Sequence, residues 1–377
     1  MSKHASRNGH ANGTAVSLFD DDAAEPEADG DVVVLPPRKY LPNPGETFSR
    51  DGCHIAFARA ESQYDIWPSP VCIVSDGPYG ISGYPGDEVK AETLADWYRP
   101  HIDAWSRRST GLTTLWFWCT EVGWANVHPV LEASGWEYRC CNIWDKGMGH
   151  IAGNANTKTL RKYPVVSEIC AHYVRRVMFP VDGQQLTMQE WLRHEWRRSG
   201  LPLYKTNEAC GVINAATRKY FTDCHLWYYP PVEMFEKFVA YANTHGDQKK
   251  RPYFSVDGKR SLTGEEWGRM RAKFTCEAGI TNVWQAPHVS GGERIQGERT
   301  GMKYKFASLH GSQKPLRFID MTIRASTDEG DVVWEPFGGL CPSAVASHQG
   351  KRCSYSTEII PEFFAAARHR LATYRAS

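Results

Sequence analysis

No Cys-x-x-Cys pair occurs among the eleven cysteines of this 377-residue chain, which lie scattered from Cys53 to Cys353. Zinc-ligand spacing is therefore missing, and a chain of this length has no need of a disulfide framework. No metal is expected, and the free thiols suit the reducing cytoplasm. No apolar run approaches the ~20 residues of a membrane helix, and the N-terminus lacks a hydrophobic signal core. No membrane partner is expected either. Net charge is also nearly absent, at +1, but that balance hides a segregation.

Residues 1–31 hold two basic and seven acidic side chains, whereas residues 155–320 hold 26 Lys and Arg against 16 Asp and Glu. The first stretch has few large apolar groups and reads as a disordered acidic tail. The second has the excess of positive charge that suits a polyanion, although a solvated surface would account for it equally. An acidic tail could shield the basic face until a polyanion displaces it. Hydrophobic residues make up 41% of the chain, with 14 Trp and 17 Tyr, enough for a large core.

From about residue 48 to 150 the pattern alternates. Val71–Val74, Leu112–Trp118 and Tyr138–Trp144 read as strands, and Glu92–Trp105 and Trp124–Ser134 as helices. Alternation of this kind builds βαβ units and a mostly parallel sheet. Between about 151 and 310, Gly- and Asn-rich turns, basic helices and clustered aromatics replace that rhythm. It resumes with a helix from Lys314–Pro315 to Ser326, a strand at Asp331–Trp334, a helix at Pro342–Gln349, a strand at Cys353–Ser356 and a helix at Pro361–Arg375. The simplest organisation is one α/β domain split by an inserted module.

Two turns carry the chemistry. Asp76-Gly77-Pro78-Tyr79 follows the first strand, and Glu335-Pro336-Phe337-Gly338-Gly339 follows the strand ending at Trp334. Turns at the carboxyl edge of an open α/β sheet are where ligands bind. The first supplies a carboxylate, a bare carbonyl and an aromatic face; the second supplies glycines that let backbone approach a ligand. Glu358 lies about 20 residues beyond the glycine turn, where an acid commonly accepts ribose hydroxyls. Taken alone, that half also admits a nicotinamide dehydrogenase, but its glycine pattern is incomplete for one and it leaves Asp76–Tyr79 unexplained.

With Ile143-Trp144-Asp145-Lys146 and His310-Gly311-Ser312-Gln313-Lys314-Pro315, these segments stand in an order that resembles the DNA amino-methyltransferases of the β arrangement. The resemblance covers roughly 45–150 and 305–377. It implies a Rossmann-like class I methyltransferase fold with a mixed, mostly parallel seven-stranded sheet in permuted order. Residues 32–154 would form the catalytic half, 155–309 the inserted target-recognition region and 310–377 the cofactor half. It further implies S-adenosylmethionine as cofactor, double-stranded DNA as partner and a flipped adenine N6 as methyl acceptor. Adenine is first choice because related adenine enzymes usually carry Asp at the first motif position. Ser75 precedes the motif and Gly77 is atypical, so cytosine N4 stays open.

On that reading Asp76 and the Gly77 carbonyl accept the two N–H groups of the target amine, with Pro78 shaping the turn and Tyr79 stacking on the base. Glu335, Pro336, Phe337, Gly338, Gly339 and Glu358 would hold the cofactor, with the N-terminus of the following helix facing its carboxylate. Gln313 and Lys314 would reach its methionine end or fix the loop, and Asp51 would lie near its adenine. Trp144 would line the base pocket or belong to the core. Within the inserted region, helices at Trp191–Arg198 and Thr206–Phe221, around a turn with Gly211, would offer Arg161, Lys162, Arg197, Arg198, Lys205, Arg218 and Lys219 to DNA. The chain departs from the family pattern at Gly77 (usually Pro), Glu335 (usually Asp) and Cys341 (usually Gly). Those departures keep a non-catalytic DNA-binding protein in view, and an RNA duplex is a weaker alternative substrate. A homodimer and a cognate restriction endonuclease remain open as partners.

Overall fold

The computed structural model describes residues 42–81, 87–150, 158–247, 251–298 and 306–374. The acidic tail, and with it the shielding idea, lies outside the described residues. The first section of chain forms β1 (Thr47–Arg50), β2 (Cys53–Phe57), β3 (Cys72–Ser75), α1 (Leu94–Arg108), β4 (Thr114–Cys119), α2 (Glu121–Ala133) and β5 (Trp136–Asp145). There follow β6 (Ser167–Arg175), β7 (Met178–Val181), β8 (Gln184–Thr187), α3 (Met188–Arg198), α4 (Lys205–Cys210), α5 (Ala215–Lys219), α6 (Val232–His245) and α7 (Gly264–Gly268). The remainder comprises β9 (Val283–Gln285), β10 (Gln296–Glu298), β11 (Phe306–Ser308), α8 (Leu316–Ser326), β12 (Val332–Glu335), α9 (Pro342–Gln349), β13 (Cys353–Glu358) and α10 (Pro361–Thr373).

Nine strands make the main sheet, in the order β1-β2-β13-β12-β3-β4-β6-β5-β9. The mixed, mostly parallel character expected from the sequence is present, but the count is nine rather than seven. The β1–β2 hairpin adds an antiparallel edge strand, and β9 pairs in parallel with β5 at the other edge. Antiparallel β6 sits between β4 and β5. β6 and β9 both fall inside the 155–309 stretch, so that stretch contributes to the main sheet as well as to an inserted module.

Alternation along the central strands decides which helices cover which face. Ile73, Leu115 and Phe117 point into one core beneath α1 and α2, where Tyr98, Ile102, Trp105 and Leu131 are buried. Their neighbours Cys72, Val74, Trp116 and Trp118 point the other way, against Phe318, Ile319 and Ile323 of α8. A third cluster joins Cys53 and Ile55 of β2 to Phe364, Ala367 and Leu371 of α10. Local signals start the helices where the chain turns off the sheet. Thr120 accepts the Gly123 N–H at the start of α2, and prolines open α9 and α10.

The inserted module has a separate hydrophobic core of Trp191, Trp196, Phe221, Phe235, Phe238, Phe254 and Trp267. At its centre the fully buried Glu195 accepts from Arg198, Arg251 and the Phe254 N–H. The expected second helix is broken in two: Gly211, at φ +66°, ends α4, and α5 restarts at Ala215. Among the described residues no helix is long and apolar enough to cross a membrane.

Candidate active site

Strand order reverses between β12 and β3: β12 leads through α9 to β13 on one side, and β3 through α1 to β4 on the other. A crevice opens at the carboxyl ends of strands flanking such a point. Here it is a cavity of about 320 Å³ lined by Asp76–Tyr79, Pro336–Gly339, Gln313, Lys314 and Glu358. The structure thus brings together the two turns that are nearly 260 residues apart in sequence.

The first turn is held rigidly. Asp87 accepts the backbone N–H groups of Tyr79, Gly80 and Ile81, at 2.8, 3.1 and 3.1 Å. The Tyr98 hydroxyl donates to the Pro78 carbonyl at 3.1 Å. A Cβ on Gly77 would lie 2.6 Å from both the Phe337 ring and the Tyr98 hydroxyl. Glycine stands at this position because the buried Tyr98 and the half-buried Phe337 already fill the space a side chain would need. Tyr79 donates to Asp76 Oδ1 at 2.6 Å. Among the described residues neither Asp76 Oδ2 nor the Gly77 carbonyl accepts a hydrogen bond.

Lys314 lines the cavity and pairs with two of the protein's own carboxylates. Its side chain is 1% exposed, and its Nζ lies 3.0 Å from Asp76 Oδ1 and 3.2 Å from Glu168 Oε2, over the rings of Tyr79 and Trp118. Lys146 approaches Glu168 Oε1 at 2.5 Å. Burial works against the charge on Glu168, but the two lysines outweigh it and hold the carboxyl down at about 2. Burial likewise opposes the charge on Lys314, and Asp76 and Glu168 overcome it, pushing the ammonium up. Gln313 is structural: it accepts the Ile295 N–H and donates to the Glu293 carbonyl, which pins the segment before β10.

The glycine turn is equally constrained. Gly338 donates to the Thr357 carbonyl at 2.7 Å, where a Cβ would strike that same carbonyl, and Gly339 adopts φ +53°. Glu358 Oε2 accepts the Gly339 N–H, and Oε1 accepts those of Ile359 and Ile360. Burial raises its carboxyl to about 7 despite those bonds. Of the carboxylate's four lone-pair directions, three are taken by the protein.

Three expectations are corrected. Glu335 does not line the cavity; it lies beneath, accepting from the Ser343 N–H at 2.7 Å and the Ser356 hydroxyl at 2.8 Å. The α9 N-terminus is therefore capped by Glu335 rather than left for a ligand carboxylate, and burial lifts the Glu335 carboxyl to about 7. Asp51 sits in the β1–β2 turn, its side chain 70% exposed, paired with Arg50 and His348. Gly52 adjoins Ser354 at the start of β13, so Asp51 is at the opposite edge of the sheet from Glu358. The group at the carboxyl end of β2 is instead Arg59-Ala60-Glu61, which lines the cavity with Trp97 and His101. Trp144 is buried in the core with its indole N–H on the Ala286 carbonyl.

The basic side chains divide. Arg161 and Lys162 are exposed on the loop that leads through Val165 to Ser167 of β6, both of which line the cavity, and Tyr163, next along the chain, is 93% exposed. Arg197 of α3 and Arg218 and Lys219 of α5 are also exposed. Lys205 pairs with Glu208. Arg198 is no surface contact, since its guanidinium closes on buried Glu195 and the Pro252 carbonyl.

Sequence reasoning missed Glu168, Asp87, Glu61 and the role of Lys146. Only Glu168 left a signal: it is a lone acid opening the run Ile169-Cys170-Ala171-His172-Tyr173-Val174.

The DNA methylase family model of N6 and N4 enzymes matches residues 71–369. The Type II methyltransferase M.ScaI of Streptomyces caespitosus is 27% identical over 183 residues, 47% of this chain and 52% of that protein. The chain thus spans about half the length of this curated relative. The crystal structure of the M1.HpyAVI–SAM complex superposes with a TM-score of 0.43 at 14% identity, covering 84% of this chain and 98% of that one. PvuII DNA methyltransferase (cytosine-N4-specific) gives 0.46 at 10% identity, covering 87% and 88%. With the family model spanning both halves of the sheet and the inserted module, the chain belongs to the N6/N4 DNA methylase family.

Proposed function

We propose that this protein is a site-specific DNA methyltransferase that moves the methyl group of S-adenosylmethionine to the exocyclic amine of a flipped base, adenine N6 first. The observation that carries this reading is the pair of open acceptors on adjacent residues, Asp76 Oδ2 and the Gly77 carbonyl, in a cavity shared with the glycine turn. An aromatic amine is a poor nucleophile because its lone pair is delocalised into the ring. Two acceptors on its two N–H groups draw the nitrogen towards tetrahedral geometry and free the lone pair. Holding both reactants in line supplies more, on the order of 7–11 kcal/mol. Tyr79, tethered through its hydroxyl, offers its ring as one wall for the base.

The residues of the second turn fit the cofactor. Bound S-adenosylmethionine supplies an electrophilic methyl group. Gly338 and Gly339 would let backbone approach it closely, Phe337 and Trp97 would offer apolar walls, and Glu358 would have one lone-pair direction left for a ribose hydroxyl. Glu61, 47% exposed at the carboxyl end of β2, is the acid we assign to the adenosine end. Asp76 favours adenine; cytosine N4 presents the same two N–H groups and is the second reading. Arg161, Lys162, Arg197, Arg218 and Lys219 are the proposed phosphate contacts, their side chains exposed. The inserted module is the proposed reader of sequence.

The test is mass spectrometry of nucleosides from varied duplex DNA incubated with the protein and deuteromethyl S-adenosylmethionine. Labelled N6-methyladenine is expected. Labelled N4-methylcytosine would overturn the base assignment, and no label on either base would overturn the activity.

A further inference from the structure

Beneath the cavity, two acidic and two basic side chains alternate in a row: Asp76, Lys314, Glu168 and Lys146. Their contacts are 3.0, 3.2 and 2.5 Å. The row draws on four parts of the chain: the turn after β3, the loop before α8, the second residue of β6 and the residue after β5. Its inner members are almost fully buried, Lys314 at 1%, Lys146 at 8% and Glu168 at 9% side-chain exposure, while Asp76 at 22% meets the cavity. Buried ion pairs seldom return in stability what their desolvation costs. A row of four under a reaction cavity therefore invites a reason other than folding.

We propose that Glu168, clamped between Lys146 and Lys314, is a positioning residue for Asp76; this rests on the methyltransferase reading above. Lys314 faces two carboxylates and is shared between them. With Lys146 completing the row, two basic side chains face two acidic ones, so Lys314 is shared and Asp76 is not tied up by it alone. Remove the charge of Glu168 and the remaining three groups carry a net +1. Lys314 then turns wholly to Asp76 and draws its charge away from the cavity. Orientation follows from the same contacts. Lys314 and the Tyr79 hydroxyl both occupy Asp76 Oδ1, and that hydroxyl lies 3.4 Å from Glu168 Oε2. Oδ2 is the atom left for the amine.

The experiment is single-turnover methyl transfer by the full chain, with cofactor binding and thermal unfolding measured in parallel. The proteins compared are wild type, Glu168→Gln, Lys146→Met and the double variant. Glu168→Gln is expected to slow transfer by about 10- to 100-fold, the range seen when a group orienting a site ligand is removed, with cofactor affinity unchanged. The double variant removes one charge of each sign, restores the balance and regains part of the rate. A residue that merely supports the fold predicts the opposite, a double variant at least as impaired as either single one. Should Glu168→Gln fail to fold, Lys146→Met carries the test alone. It leaves one anion in excess, draws Lys314 towards Glu168 and also slows transfer. A wild-type rate in a folded Glu168→Gln or Lys146→Met, or a double variant slower than both singles, overturns the assignment while leaving the methyltransferase reading intact. A wild-type protein that binds cofactor but labels no base overturns both.

Discussion

Replacing Gly77 by alanine adds one methyl group at the most crowded point of the site. That carbon would lie 2.6 Å from Phe337 Cδ2, 2.9 Å from Cε2 and 2.6 Å from the Tyr98 hydroxyl. Ordinary contact asks for about 3.4 Å or more, so something must move by nearly an ångström. The Phe337 ring cannot retreat freely, because its centroid is 5.0 Å from His101 and 5.3 Å from Trp97, with Tyr98 and Trp105 behind. Tyr98 is fully buried and holds the Pro78 carbonyl. Overpacking of this kind costs about 1–3 kcal/mol. If the backbone yields instead, Asp76 and the Gly77 carbonyl shift, and misplacement of about 1 Å can cost on the order of 100-fold in rate. Denaturant unfolding and single-turnover transfer on Gly77→Ala read both quantities. Adding Phe337→Leu should recover part of the stability, since it relieves the ring contact but not that of Tyr98. A Gly77→Ala protein as stable and as fast as wild type would refute the account of why glycine, and not the proline usual in the family, stands here.

The Glu335 carboxyl has its folded-state value raised to about 7 from an ordinary 4.5. Its cost to stability is therefore absent at low pH and appears as pH rises from about 4.5 to 7. Glu335→Gln keeps both hydrogen-bond partners without the charge, so it should gain about 3 kcal/mol on wild type between pH 4.5 and pH 8; a pH-independent difference in denaturant unfolding would contradict this. Glu61→Gln should weaken cofactor binding in equilibrium titration with little loss of stability, because its side chain is half exposed and its contact with His101 is long, at 3.6 Å, to an imidazole that burial holds down at about 4; unchanged affinity would remove it from the site. Arg161→Ala with Lys162→Ala should reduce the slope of log affinity against log salt by about 2 on duplex DNA; an unchanged slope would mean neither touches phosphate. Tyr163→Ala should slow transfer to a paired target base more than to a mismatched one, as expected of an exposed ring that stabilises the opened duplex; equal slowing on both would assign it elsewhere.

The central strands were legible because β-branched and aromatic runs ending in Asp76 and Glu335 leave few other readings. The helices α8, α9 and α10 were bounded by prolines, at Pro315, Pro342 and Pro361. What the chain did not disclose was which edge of the sheet a turn occupies. Asp51 has the residue type and rough spacing of a ligand contact, yet it lies in a hairpin turn at the amino edge, because β1 and β2 are too short to declare themselves. Lys314 is long enough to serve several partners, and only the fold brings Glu168 within reach of it. Glu168 itself lies in a stretch whose basic charge and turns suggested an inserted region, although β6 belongs to the main sheet. Glu335 kept its expected place after β12 but points beneath the turn, where Ser343 and Ser356 wait for it.

The most direct test of the account is the single-turnover rate of Asp76→Asn against wild type on methylatable duplex DNA, with cofactor affinity measured alongside. Asparagine retains one acceptor oxygen but lacks the charge that Lys314 and the amine share. Transfer is expected to slow by roughly 100-fold or more with cofactor affinity unchanged. Equal rates in the two proteins would contradict it, because the amine would then be activated without Asp76.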